Sequence, residues 1–149
     1  MMDAIEDRLT ALGAFTRVAA AVSFAELQNS GRVPQAHQLP AAFVVPMDET
    51  AGGQRHASGA HRQQLSQTVG VVLIVGARND ARGERALDQV KPLADRVRDH
   101  LIGWPPAPDA APLAYRRGRV AGFQQGAVFW LAEFTTTQLL RTTDPGGTP

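Results

Sequence analysis

Two histidines in a glycine-rich stretch are the first residues of this chain that could do chemistry. His56 and His61 lie within residues 47–63, where Asp48 and Glu49 supply two carboxylates. A zinc site needs three or four ligands held in fixed positions. This stretch has several glycines and few large apolar side chains that could fix it. We therefore expect a solvated loop around both histidines, with no metal and no other cofactor.

Three further polar residues could take part in catalysis, and each has a simpler explanation. Ser58 lacks the strand-to-helix frame that exposes a hydrolase nucleophile. Glu133 lies in an apolar strand, where it could serve as an acid or, as we favour, be a charge at the sheet rim or a partner for an arginine. His100 falls in a last helical turn, where a positive charge is favourable. Since cysteine and the phosphate-binding glycine motifs are also absent from the sequence, we predict no catalytic residues and no enzyme activity.

The basic cluster of the chain is the segment YRRGR, from Tyr115 to Arg119. A regular strand would place Tyr115, Arg117 and Arg119 on one side and Arg116 on the other. The whole chain has 15 Lys+Arg against 14 Asp+Glu, a balance that is unusual for a dedicated nucleic-acid binder. Because arginine is enriched in protein interfaces, we favour a protein contact or a solvated strand for this segment.

Several predicted elements must position these residues. Apolar periodicity and turn residues indicate helices at 3–12, 23–31 and 84–101, and strands at 41–46, 67–77, 112–123 and 126–140. Residues 15–22 fit a short strand or an extended lead-in. Pro46 is expected to end the strand at 41–46. Paired strands with one long helix predict a single α+β domain over residues 1–149. We expect a mainly antiparallel sheet of about four strands, with helices packed on one face.

Three segments outside these elements complete the predicted organisation. Residues 47–63 are expected to form a mobile loop, and residues 141–149 a frayed tail. Trp104 follows Gly103 at the exit of the long helix and precedes two prolines. It either covers the core at the helix end, which we favour, or belongs to a surface that another chain covers.

The ordered set of landmarks resembles the tail terminator proteins of long-tailed bacteriophages. The likeness covers residues 3 to 139: an amphipathic helix, PAAFVVP, VGVVLIVGARNDARG, HLIGWPP, LAYRRGR and a final aromatic strand. The resemblance implies small α+β subunits in a six-fold ring at the head-proximal end of the tail tube. Such a ring stops growth of the tube and receives the head-completion proteins.

The resemblance also implies where the protein works and what it contacts. The expected partners are further copies of the chain, the tail tube protein and a head-completion or neck protein. DNA is expected to pass through the ring without specific binding, and no membrane is involved. The implied location is the head-proximal end of the tail in the virion, after assembly in the host cytoplasm.

The charged residues singled out above become candidate contacts between subunits or with partners: Arg116, Arg117, Arg119, Asp3, Glu6, Asp7, His56 and His61. Trp104 is the candidate structural anchor. Three other classes remain open from the residues alone. They are another head–tail joining or tube-like protein, a small-molecule-binding α+β domain, and a DNA-binding accessory protein.

Overall fold

A computed structural model describes residues 1–29, 34–57, 60–77, 80, 82–124 and 126–142 of the chain. For residues 53–57, 60, 61, 141 and 142 this description covers the backbone. The described elements, in chain order, are α1 (Met2–Leu12), β1 (Arg17–Ala20), α2 (Phe24–Gln28), a 3-10 turn (Ala36–Gln38), β2 (Ala41–Ala57), β3 (Ala60–Gly76), α3 (Glu84–Leu101), β4 (Ala114–Gln124) and β5 (Ala127–Thr142).

The strands form one mixed sheet in the order β1-β2-β3-β5-β4. β1 runs parallel to β2, and the other neighbouring pairs are antiparallel. The α+β class and the mainly antiparallel sheet are confirmed in outline, whereas the expected four strands become five. The parallel pair arises because α2 and the following segment carry the chain back to the end of the sheet where β1 began.

The first face of the sheet packs against α1 and α3. Alternate residues of β3, from Val69 to Val75, join Ile5 and Leu9 of α1 in the main core. On the long helix the residues that face this core are Ala86, Val90, Ala94, Val97 and Leu101. The helix predicted at 84–101 is confirmed, and it runs through Pro92 as one element.

The second face is covered by α2, which corrects the prediction of helices on one face. Leu27 is buried in a second cluster with Phe43, Val72, Ile74 and Leu131, and the Phe24 ring meets Phe129 edge-on at 6.3 Å. Ser23 begins α2, because its hydroxyl oxygen accepts a hydrogen bond from the Glu26 amide at 3.1 Å. Five residues of amphipathic helix are therefore enough to cover this face near its centre.

The segment 47–63 is not a loop where it is described, and Pro46 does not end its strand. β2 continues to Ala57 past a bulge between Pro46 and Asp48, and β3 begins at Ala60. The bulge accommodates a proline, which cannot donate a ladder hydrogen bond. Residues 47–57, 60–68 and 135–142 extend the three central strands. We call these residues the arm. Whether this segment changes its order on binding a tail stays a prediction.

The predicted frayed tail is wrong at its first two residues, because Arg141 and Thr142 pair with β3 as part of β5. Residues 143–149 lie outside the description. None of the helices among the described residues is long and apolar enough to cross a membrane.

Candidate assembly interface

β4 lies at one edge of the sheet, and its outward-facing residues combine apolar and basic side chains. Among the described residues its strand partner is β5. Tyr115, Val120 and Phe123 are exposed by 39%, 46% and 47%. Large apolar side chains grouped along an open strand are typical of a surface that another protein covers.

A bulge at Arg116 sets which way the side chains of β4 point. Tyr115 pairs with Phe134, and Arg117 pairs with Glu133, so Arg116 is the extra residue of the bulge. Tyr115 therefore lies on the face of the main core, while Arg117 lies on the other face. The prediction that Tyr115 and Arg117 share a side is wrong, because it assumed a regular strand.

Glu133 is buried and pairs with both arginines of the bulge. It is 2% exposed, in the middle of β5. The Arg117 Nε donates to Glu133 Oε2 at 2.5 Å, and the Arg116 Nη1 donates to Glu133 Oε1 at 3.4 Å. The favoured interpretation of Glu133 as the partner of an arginine is confirmed. Arg119 lies further along β4, paired with Leu131, and so faces the same side as Arg117.

The opposite face of β4 is closed by aromatic rings over Gly118. The Tyr115 ring meets Phe134 at 5.5 Å. A Cβ at Gly118 would collide with the Tyr115 hydroxyl and lie 2.8 Å from the Trp130 ring. Gly118 is thus required by packing, because any larger residue would displace both rings. The bulge and this glycine together separate an aromatic side of β4 from a basic one.

Trp104 lies at the exit of α3, and its role as the structural anchor stays a prediction. It is partly buried and packs against the main core, to which Val97 and Leu101 belong. Its backbone is held on both sides: its amide donates to Leu101 at 3.2 Å, and its carbonyl accepts from Leu113 at 2.9 Å. The Arg8 guanidinium stacks on its outer side, 4.9 Å from the ring centre.

Arg8 also ties α1 to the end of α3. Its Nε donates to the His100 carbonyl at 3.1 Å, and the His100 Nε2 donates to the Arg8 carbonyl at 2.9 Å. The basic side chain of α1 is therefore turned toward α3. Asp3 and Asp7 are exposed and Glu6 is partly exposed, so the outer side of α1 is acidic.

The predicted interface residues fall into three separate groups. The arginines lie on β4, whereas the acids lie on α1, which packs over β1 and β2 at the opposite half of the sheet. His56 and His61 are paired across β2 and β3 by their backbones, and their side chains lie outside the description. Their role as contacts stays a prediction.

The described part of the chain has an open groove but no cluster of metal ligands. Its His, Asp and Glu residues form no group of three or more that could hold a metal ion. An open groove of about 870 Å³ lies beside the arm, lined by Arg62, Gln63, Gln64, Pro108, Asp109, Ala110, Ala111, Thr137, Gln138 and Leu139. These residues do not pair a nucleophile with a base, and we assign no catalytic role to the groove.

An open, partly apolar sheet edge with arginines, and a separate acidic helix face, are features of a protein that works by contact with other proteins. The family model described as Phage tail terminator protein matches residues 2–144. The chain belongs to the phage tail terminator family and is a structural component of the phage tail, where it associates with other tail proteins. A search of curated proteins found no match to the chain.

Proposed function

We propose that this protein closes into a ring of six copies at the head-proximal end of the tail tube. The ring stops tube growth and offers its other side to a head-completion or neck protein. The family match over residues 2–144 supports this function. The observation that carries it is that basic β4 forms one edge of the sheet, whereas acidic α1 packs over β1 and β2 in the other half.

A ring of identical subunits joined head to tail needs two different surfaces, one on each side of the subunit. β4 provides the first with Arg116, Arg117 and Arg119. α1 provides the second with Asp3, Glu6 and Asp7. Opposite charges on the two surfaces set the register of neighbouring copies and speed their encounter more than they add affinity.

The apolar residues of β4 supply the burial that such a contact needs. Val120 and Phe123 are each nearly half exposed in the single subunit. An interface of ordinary size buries on the order of 1,600 Å², and its centre is apolar with a charged rim. In the proposed ring these two side chains form the centre and the arginines form the rim.

We assign the arm to contact with the tail tube. Its described surface is rich in uncharged polar residues, and Leu139 and Leu140 are exposed by 45% and 43%. Exposed leucines on such a surface suit a protein partner, because apolar side chains gain from burial against another protein. DNA then passes through the ring without specific binding.

A charge reversal on β4 tests the ring. Arg119→Glu is the variant of choice, because Arg117→Glu would place a second carboxylate against buried Glu133 and disturb the fold. We expect Arg119→Glu to prevent ring formation in sedimentation experiments and to leave overlong tails in electron micrographs. Arg96→Glu, an exposed change on α3, is the matched control and should leave both unchanged.

A compensating change makes the test specific. If β4 meets α1 of the next copy, adding Glu6→Arg to Arg119→Glu restores a pair of opposite charges, leaves Asp3 and Asp7 unchanged, and should restore the ring. Tails of normal length with Arg119→Glu alone would show that β4 is not an assembly edge. Purified protein that polymerised into long tubes would instead favour a tube-like function.

A further inference from the structure

We propose that Glu133 is a positioning residue. It holds Arg116 and Arg117 so that their outward N–H groups bind the carboxylates of Asp3 and Asp7 on α1 of a neighbouring copy. This inference rests on the proposed ring and identifies which groups meet within it. It assigns to a buried carboxylate a role in binding another subunit.

The geometry combines a buried anion with two half-exposed cations. Glu133 is 2% exposed, whereas the side chains of Arg116 and Arg117 are 47% and 56% exposed. A guanidinium carries five N–H donors in a rigid plane. With one end of each plane held by Glu133, donors remain on the exposed side for a second carboxylate.

The charges around Glu133 do not balance among the residues that the structure describes. Two guanidinium groups face one carboxylate, so the cluster keeps one excess positive charge at the sheet edge. A buried ion pair is weak evidence for stability, because removing its charges from water offsets much of their attraction. A second carboxylate from outside would neutralise the cluster.

Holding the arginines in advance lowers the cost of binding. A free arginine loses its rotamer freedom when it binds, and each such side chain costs enough to weaken an interface. At the bulge, Arg116 and Arg117 both oppose Glu133 and already share it. Part of the loss of side-chain entropy therefore occurs when the subunit folds, before the neighbouring subunit binds.

The outer side of α1 is the segment of this chain whose charge complements the cluster. Asp3 and Asp7 lie four residues apart and so share one helix face, and both are exposed. Arg8, which could have neutralised them, is held by His100 and Trp104. Since β4 is an edge strand and α1 packs over β1 and β2 in the other half of the sheet, the acids come from a second copy.

The first test is a substitution for which loss of positioning and gain of positive charge predict opposite effects on assembly. Glu133→Gln raises the positive charge of the cluster by one and keeps the shape of the side chain. If charge alone drove the contact, this variant would assemble at lower concentration than the wild type. Because positioning is lost, we expect the concentration for half-assembly, measured by sedimentation, to rise roughly tenfold, which corresponds to two released side chains.

A second variant guards against a folding defect in Glu133→Gln. Arg117→Lys keeps both charges but replaces the planar fork with a single ammonium group, which cannot be aimed at two carboxylates in the same way. We expect a similar loss of assembly, with the urea midpoint of the monomer close to that of the wild type. Arg96→Lys on α3 is the matched control.

A double-mutant cycle identifies the partner. When Asp3→Asn and Asp7→Asn are combined with Arg117→Lys, the effects should overlap and be less than additive, as for groups in contact. Additive effects would refute α1 as the partner. Tighter assembly of Glu133→Gln would refute the positioning role and leave the ring proposal intact. So would unchanged assembly of both Glu133→Gln and Arg117→Lys while Arg119→Glu still abolishes the ring. An unaffected ring in Arg119→Glu would refute the proposed function itself.

Discussion

Removal of the Trp104 side chain should destabilise the subunit by about 2–3 kcal/mol. Emptying a fully buried tryptophan site costs about 3–5 kcal/mol. Trp104 is partly buried, so roughly half to two-thirds of that cost applies, because the exposed part of the ring gains little from packing. The stack of Arg8 on the ring is part of the loss and contributes about 0.5–1 kcal/mol at a partly exposed position.

Urea unfolding of Trp104→Ala, followed by far-UV circular dichroism, measures this loss. For a chain of this size the change corresponds to a fall in the melting temperature of roughly 4–12 °C. Arg8→Gln is a useful companion, since it removes the stack and keeps the indole in place. The two changes should be less than additive, because both delete the same contact.

One result would refute this reasoning about Trp104. If Trp104→Ala unfolded at the same urea concentration as the wild type but failed to join tails, the indole would belong to an interface. The stack of Arg8 would then be a contact of the free subunit that a partner displaces. The other interpretation of the sequence, a tryptophan that another chain covers, would replace the favoured one.

Two further predictions concern β4 and α3. Gly118→Ala should cost about 1–3 kcal/mol, measured by thermal unfolding, because the new methyl group displaces Tyr115 and the Trp130 ring; an unchanged melting temperature would show that both rings move freely. Lys91 donates a hydrogen bond to Asp95 at 2.6 Å, and this bond lowers the pKa of the Asp95 carboxyl. The pair therefore stabilises α3 at neutral pH, and its contribution is lost as the pH falls through the lowered pKa. An NMR titration should show the pKa of Asp95 rising in Lys91→Gln, and an identical curve in both proteins would contradict the assignment.

The apolar strands and the long helix were predictable because their signals are local. Alternating valines from Val69 to Val75 define both faces of β3 without knowledge of its neighbours. The side chain of Ser23 likewise caps α2 within three residues of chain. Local patterns of this kind predict the folded structure correctly, because the residues that make the contacts lie close in sequence.

The features that the sequence analysis missed depend on contacts between distant segments. A proline ends a strand where the paired strand requires a hydrogen bond from the N–H that proline lacks. The bulge before Asp48 removes this requirement at Pro46. The bulge at Arg116 is fixed by Glu133, sixteen residues or more away. The strand containing Tyr115, Arg116 and Arg117 was therefore predicted correctly, but its side chains were assigned to the wrong faces. The position of α2 on the second face depends on the sheet order, which periodicity does not contain.

The central position of β3 has a consequence for how the chain folds. β3 pairs on one edge with β2, the strand before it in the chain, but its other edge is covered by β5, which comes last among the described elements. Until β5 arrives, a 17-residue strand with valines on both faces has one bare edge. Such an edge is a template for pairing with other chains, and long-range strand pairing is slow. The nascent or truncated protein is therefore most prone to aggregate after α3 has formed and before β5 has docked, and a ribosome pausing in that interval would lengthen the exposure.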